Sequence, residues 1–370
     1  MARGGNVQDI LRHLHAWGRG NFDAAGTASG RTVLLESANS LAAVLDSGLM
    51  DADTMVFAPA TGARESLSVG VLVGYEGSLT ASGDEMSVDD DFFVEAQDYA
   101  VTPFLAVAGP TVVRVTGQAD FDAFVHDADR ARAQGEFVPA LVHPMIQLGD
   151  LCALGGAHRC AGPRVRITVD PSGRVRTAPH GVLLGEARDG LDTLAARWSA
   201  VERSAGSGCP VCLGEAVPAP VLLAAHRQRP WLSRYLHAVD ALRMAAARGL
   251  PNLRPSGFAR RLTPGCDEQG HAVDLQLAGA DAPLVLFDDE TAVLHDPVGG
   301  RQFRLARQAA QLVELLVVHA DQGAAADGAV ACLGLDRSQA LGALGELERR
   351  LASAGVALPS ASDRTAPATA

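Results

Sequence analysis

Between Leu284 and Leu358 the hydrophobic pattern changes period. Leu284-Val-Leu-Phe287 is a short apolar run and Ala292-Val-Leu-His-Asp296 is another. Gly299-Gly300 then turns the chain into Gln302-Phe-Arg-Leu305. Runs of this length bounded by turn residues predict three short strands. Leu312, Leu315, Leu316 and His319 follow at steps of three and four, which predicts a helix. A second helix is predicted over 324–333. A third is predicted over 336–354: Asp336 is placed to cap it, Leu341, Leu344, Leu347 and Leu351 form one stripe, and Gly355 stops it. Three strands followed by three helices, with a tight turn before the last, is a winged helix-turn-helix order. Such a module binds either nucleic acid or an extended peptide.

Charge separates the two. From Leu284 to Leu358 there are ten Asp and Glu against six Arg, and the whole chain stands at −12. A DNA-reading helix needs a basic field, because phosphate neutralisation supplies most of the affinity. An extended peptide needs none. It adds as a strand to a sheet edge and lays alternate side chains beside a helix.

The first 150 residues alternate strands and helices at short spacing, so an α/β layer domain is expected. Strands are predicted at 32–35, 54–58, 104–107 and 111–115, with an apolar, glycine-interrupted stretch at 67–75. A short helix is expected at 37–45. Phe121, Phe124, Val125, Ala128 and Ala131 mark another, closed by Gly135. The acidic stretch 84–98, with Asp89-Asp-Asp91 at its centre, reads as a solvated loop. Chemistry is sparse here. Gly26 to Thr32 resembles a phosphate loop only superficially: it is one residue short, lacks lysine and precedes a strand. His13 and His15, beside Trp17, read as surface or packing residues.

Four of the six cysteines fall between Leu151 and Gly214. Cys209-Pro-Val-Cys212-Leu-Gly is a knuckle whose small residues let two thiolates grip one metal. Cys152 and Cys160 are the candidate second pair, with His158 and His180 in reserve. Four thiolates suit Zn²⁺ or an iron–sulfur cluster. The alternative is a set of buried apolar thiols. Between the pairs, 167–176 reads as a hairpin and 191–198 as a helix. Cys266 and Cys332 are isolated. Farther on, Trp231, Leu232, Tyr235, Leu236, Val239 and Leu242 form a helical stripe ending at Gly249. Arg227, Arg229, Arg234, Arg243, Arg248, Arg254, Arg260 and Arg261 surround or follow it. These read either as a solvated arginine face or as a dock for an acidic segment.

Composition bounds the class. The 370 residues are 48% hydrophobic, enough for two or three domains. No apolar run is long enough for a bilayer and no signal peptide is evident, so a cytoplasmic protein is expected. All 31 basic residues are Arg. Without lysine there is no Schiff-base or P-loop lysine chemistry. The expected organisation is an α/β domain over 1–150, a Cys-rich metal-binding segment over 151–215 and an Arg-rich helical connector over 216–280. A winged helix over 281–358 and a disordered tail over 359–370, rich in Pro, Ser, Thr and Ala, complete it.

Two resemblances attach to these residues. The stretch from Val285 to Leu305, with its Asp-Pro-x-x-Gly-x-x-Phe-x-Leu register, resembles the small chaperone domain of pyrroloquinoline quinone biosynthesis. That domain is the prototype recognition element for ribosomally made, post-translationally modified peptides. The resemblance implies that a precursor's leader pairs with the third strand and touches the third helix. The implied contacts are Gln302, Phe303, Arg304 and Leu305, with Leu341 and Leu344. The central segment is similar to the SPASM and twitch domains that follow radical-SAM cores. Cys160-Ala-Gly162, the hairpin, Leu184-Gly185, Trp198 and Cys209/Cys212 stand in that order. No Cys-x-x-x-Cys-x-x-Cys occurs upstream, so a radical-SAM centre is not expected. The combination resembles the recognition proteins of such peptide pathways, most narrowly those of daptides. It implies an adaptor without catalytic residues, whose partners are a precursor leader peptide and a dehydrogenase, an aminotransferase and a methyltransferase. Nucleic acid and membrane are not expected partners. A degenerate metal-containing maturase and an acidic winged-helix transcription regulator are the rival classes.

Overall fold

The computed structural model describes residues 7–20, 30–59, 65–89, 92–155, 160–205, 209–263, 278–279, 281–319 and 321–359. The glycine-containing stretch 26–29, Asp90, Asp91, His158, Cys266 and the tail from Ser360 lie outside them.

Ile10, Leu14 and Trp17 recur at helical spacing, and α1 (Val7–Arg19) buries all three. The strands that follow are β1 (Thr32–Leu35), β2 (Met55–Pro59), β3 (Glu65–Ser66), β4 (Val71–Gly77), β5 (Glu85–Val88), β6 (Phe92–Asp98), β7 (Thr111–Arg114), β8 (Ile146–Leu148), β9 (Arg166–Val169), β10 (Arg174–Arg176) and β11 (Gly185–Glu186). They make one sheet in the order β11-β10-β9-β1-β2-β4-β5-β6-β7-β8, with β3 beside β4. The pairs β9–β1, β1–β2, β2–β4, β6–β7 and β7–β8 are parallel. Strand β5 runs antiparallel to both neighbours, so β6 regains the direction of β4. One rim of the sheet therefore collects the C-terminal ends of β9, β1, β2, β4, β6, β7 and β8.

The sheet curls around α1. Ile10, Leu14 and Trp17 share one cluster with Leu34, Phe57, Val73, Met86, Val94 and Val112, which come from β1, β2, β4, β5, β6 and β7. Helix α1 touches β9 and β1 near one end of the strand order and β8 at the other, so the sheet's concave face wraps it. Polar ties close the gap between distant strands. Gln147 Nε2 donates to the His15 carbonyl at 2.7 Å, and Arg166 Nη1 donates to the Trp17 carbonyl at 2.6 Å.

The main core lies on the convex side. It joins Val33, Leu35, Val56, Val113 and Ile167 to helices α3 (Gln118–Gln134), α4 (Leu191–Ala205), α5 (Ala219–Gln228) and α6 (Leu232–Ala247). Helix α2 (Leu41–Asp46) adds Val44.

Several expectations are corrected. No boundary falls at 150: β9 pairs with β1 from Thr32↔Arg166 to Leu35↔Val169, so the Cys-rich segment completes the N-terminal sheet. The acidic stretch 84–98 is a hairpin. Met86, Val88, Val94 and Ala96 point inward, while Glu85 and Glu95, opposite each other, stay on the other face. Residues 104–107 form no strand, because a 3-10 helix runs through Phe104.

Helix α6 is also not a half-exposed basic helix. Trp231, Leu232, Tyr235, Leu236 and Ala238 are buried, and so are Ser233, Arg234 and His237 on the opposite face. The second face is covered by a small antiparallel sheet. Its strands are β12 (Arg254–Pro255), β13 (Leu284–Phe287), β14 (Ala292–Asp296) and β15 (Arg301–Leu305), in that order. Leu284, Leu286 and Val293 of this sheet join the main core against α6. Val285, Phe287, Leu294, Phe303 and Leu305 alternate to the other face. There they meet α7 (Arg307–His319) and the end of α9 (Arg337–Ser353). Helix α8 (Gln322–Leu333) closes a second helical cluster with α7 and α9. Asp321 and Asp336 cap α8 and α9 through backbone amides. No helix among the described residues is long and apolar enough to cross a membrane.

Candidate functional site

The four central cysteines converge. The sulfurs of Cys152, Cys160, Cys209 and Cys212 all lie within 4.8 Å of one another, and all four residues are buried. Cys152 Sγ stands 3.7 Å from Cys212 Sγ. Separate local devices set Cys152, Cys160 and Cys212 in place. Cys152 lies in the turn after β8, where Asp150 takes a left-handed φ of 52° and donates its N–H to the Gly18 carbonyl. Cys160 opens the Cys-Ala-Gly turn. A side chain on Gly162, at φ 56°, would start 2.5 Å from the Trp198 ring. Cys212 lies in the 3-10 turn Val211–Leu213, tied down where Val182 N–H donates to the Val211 carbonyl at 2.7 Å.

A fixed cation stands beside the thiols. Arg166 is fully buried. Its Nη2 donates to Asp150 Oδ1 at 2.6 Å and its Nη1 to the Trp17 and Gly18 carbonyls. Gly20 leaves room for it: a Cβ there would meet Nη2 at 2.3 Å. Burial works against the guanidinium's charge, but the Cys212 sulfur and Asp150 outweigh it and hold Arg166 charged. Hydrogen bonds from Cys152, Cys160 and Cys209, supported by Arg166, hold the Cys212 thiol well below its usual range. Thr177 Oγ1 lies 3.4 Å from the same sulfur. Four soft donors, buried and convergent, with a cation to offset thiolate charge, can hold a metal. Of the reserve ligands, His180 is outside the group. Cys332 is also outside it, held in a disulfide.

The sheet edge divides the predicted peptide contacts. Gln302, Phe303, Arg304 and Leu305 lie on β15, the terminal strand of the small sheet. Arg304 is exposed; Gln302, Phe303 and Leu305 are half-buried. Gln302 is committed inward: its Nε2 donates to the Ala241 carbonyl at 2.8 Å, and Arg248 Nη1 donates to its Oε1 at 2.9 Å. Leu341 and Leu344 do not face this edge. Leu344 is fully buried in the cluster made with α7 and α8, and Leu341 packs against that cluster. The residues of α9 that share a cluster with Phe303 and Leu305 are Leu347 and Leu351, one to two turns later. The stripe was legible as helical spacing, but spacing alone does not say which part of a stripe reaches the sheet.

The arginine series is largely spent inside the chain. Arg234 donates to the carbonyls of Ala282 and Pro283, and Arg229 forks onto Asp129. Arg243 pairs with Asp240, which also receives Arg19. Comparison of the chain with protein-family models, with curated proteins and with solved structures returns no match.

Proposed function

We propose that the chain recognises an extended peptide, the leader of a precursor destined for post-translational modification, by strand addition at β15. The observation that carries this reading is the covering of the small sheet. One face is packed on α6 and the other on α7 and α9, which leaves the edges for pairing; of the two edge strands β15 has five residues and β12 only two, one of them Pro255, which has no N–H to offer. Main-chain hydrogen bonds there supply affinity, and the neighbouring end of α9, where Leu347 is half-buried, supplies side-chain contacts. The acidic balance of 284–358 and the likeness of 285–305 to peptide-recognition elements support a peptide over DNA. By this account the chain is an adaptor that hands the peptide to a dehydrogenase, an aminotransferase and a methyltransferase.

The same reading gives the four-cysteine centre a mononuclear Zn²⁺. With Zn–S of about 2.3 Å, the edge of a tetrahedral site is about 3.8 Å. The Cys152–Cys212 separation of 3.7 Å matches that edge. A multi-iron cluster spreads its thiolates over separate metals, which suits a group confined within 4.8 Å less well. The metal's role is to staple the turn after β8, the 160–162 turn that leads into β9 and the 209–217 segment to one another.

The test is a titration of the full chain with a labelled N-terminal segment of a candidate precursor peptide. Saturable binding with weak salt dependence supports the reading. No binding at a concentration on the order of 10 μM, or tight DNA binding with a steep salt slope, contradicts it.

A further inference from the structure

The curled sheet carries a second polar constellation, distinct from the cysteines and from β15. Along its concave face the strands end in an apolar layer: Leu34 on β1, Val73 on β4, Ala96 on β6 and Val112 on β7 all belong to the cluster around α1. Side chains alternate along a strand, so the next residue on the same face is two positions on. Those residues are Glu36, Tyr75, Asp98 and Arg114. A polar ring thus caps the apolar layer at the rim where the parallel strands end, which is where ligands of open α/β sheets bind.

The ring is only partly satisfied internally: Tyr75 Oη donates to the Leu35 carbonyl at 2.6 Å, while Arg114 and Asp98 keep unpaired atoms. Asp98 and Arg114 are register partners on adjacent parallel strands. They nevertheless make no ion pair within the described residues. Arg114 is 2% exposed. Its Nη2 makes a long bond to the Thr80 carbonyl at 3.4 Å, while Nε and Nη1 have no partner among the described residues. Asp98 Oδ1 and His180 Nε2 are likewise buried without a partner. The groups lie within electrostatic reach of one another: Asp150, Asp98, Asp84 and Glu36 act on Arg114, and Arg114, Asp98, Glu215 and Arg176 on His180. Arg176 is different, because Asp170 and Glu215 hold it from two sides. Each buried polar group left unpaired costs about 1–3 kcal/mol, more when it is charged. A buried guanidinium that ignores the carboxylate next to it is shaped for something else.

We propose that this rim is a binding site for a zwitterionic α-amino carboxylate, a free amino acid. The Nε and Nη1 donors of Arg114 form a fork that matches a carboxylate. Asp98 and Glu36 are two acids against one uncommitted base, so they complement an ammonium group next to that carboxylate. A phosphate would use the same Arg114 fork but would set its remaining negative charge against both acids, with no ammonium to offset them. The site does not depend on the peptide-binding reading of β15, because it is built from a different sheet.

The experiment is amide NMR on the full chain with glycine, acetate, methylammonium and inorganic phosphate as probes. Glycine is expected to give saturable shifts at residues 36, 98, 114 and 180, with acetate and methylammonium each at least about tenfold weaker. Arg114→Gln is expected to weaken glycine at least about tenfold. Arg114 is buried, so its replacement can fail by misfolding alone. Asp98→Asn is nearly isosteric and keeps the test decisive: it should bring glycine down to the level of acetate. Acetate or phosphate binding as well as glycine, an unchanged glycine affinity in Asp98→Asn, or shifts absent from the rim would each overturn the proposal.

Discussion

Replacing Cys209 by Ser probes the metal centre with little steric change, because the hydroxyl is close in size to the thiol it replaces. A structural Zn²⁺ contributes on the order of 10 kcal/mol of binding energy that is also folding energy. Without it, two backbone hydrogen bonds, the Arg176–Glu215 pair and apolar packing tie the 209–217 segment to the rest of the fold. Val182 N–H donates to the Val211 carbonyl at 2.7 Å and Glu215 N–H donates to the His180 carbonyl at 3.0 Å. At about 1 kcal/mol each, these bonds offset only a small part of the loss. The packing of Val211, Cys212 and Leu213 offsets more, so the account predicts local opening of 209–217 while the curled sheet persists. Elemental analysis should show one metal per chain in the wild type and none in Cys209→Ser. Hydrogen exchange should accelerate at 182 and 211–217 and stay slow at 32–35. A variant that keeps its metal, or a metal-free protein with unchanged exchange at 209–217, would refute the reasoning.

Three further outcomes follow from other parts of the fold. Glu314 is buried and accepts bonds from Ser256 Oγ, Leu262 N–H at 2.9 Å and Thr263 N–H at 2.8 Å. Glu314→Ala strands these donors and should cost about 3 kcal/mol or more, read as a lower denaturation midpoint with faster exchange at 262–263. His13 and His295 are buried, and desolvation lowers both from 6.5 to about 4. The folded chain therefore binds fewer protons than the unfolded one between those values, so each site's full contribution is present above pH 6.5 and is lost as pH falls toward 4. Roughly 3 kcal/mol per site is at stake, and His295→Gln should flatten the stability–pH curve in that window. Phe303 packs with Leu294, Leu347 and Leu351, so Phe303→Asp should destabilise the small-sheet module by about 2–4 kcal/mol; an unchanged melting curve would remove Phe303 from that core.

What was legible in the sequence was local. The strands at 284–305, the helices after them and the Cys-x-x-Cys knuckle each rest on neighbours within a few residues. Cys152 and Cys160 joined the knuckle only through tertiary contact, and their pairing could be named as a candidate on residue type alone. Ile10, Leu14 and Trp17 stand at helical spacing, the local signal for α1. Arg234 misled because arginine usually marks solvent, whereas here its donors cap two carbonyls behind α6. The polar rim was invisible for a stronger reason. Glu36, Asp98 and Arg114 are far apart in the chain, and only the parallel register of β6 with β7 and the curl around α1 bring them to one face.

The most direct test of peptide recognition is hydrogen exchange of the full chain with and without the precursor's N-terminal segment at saturating concentration. The account predicts new protection at 301–305 and at the 347–351 end of α9, with the rim at 36, 98 and 114 unchanged. Binding that leaves 301–305 exchanging as before would contradict strand addition at β15.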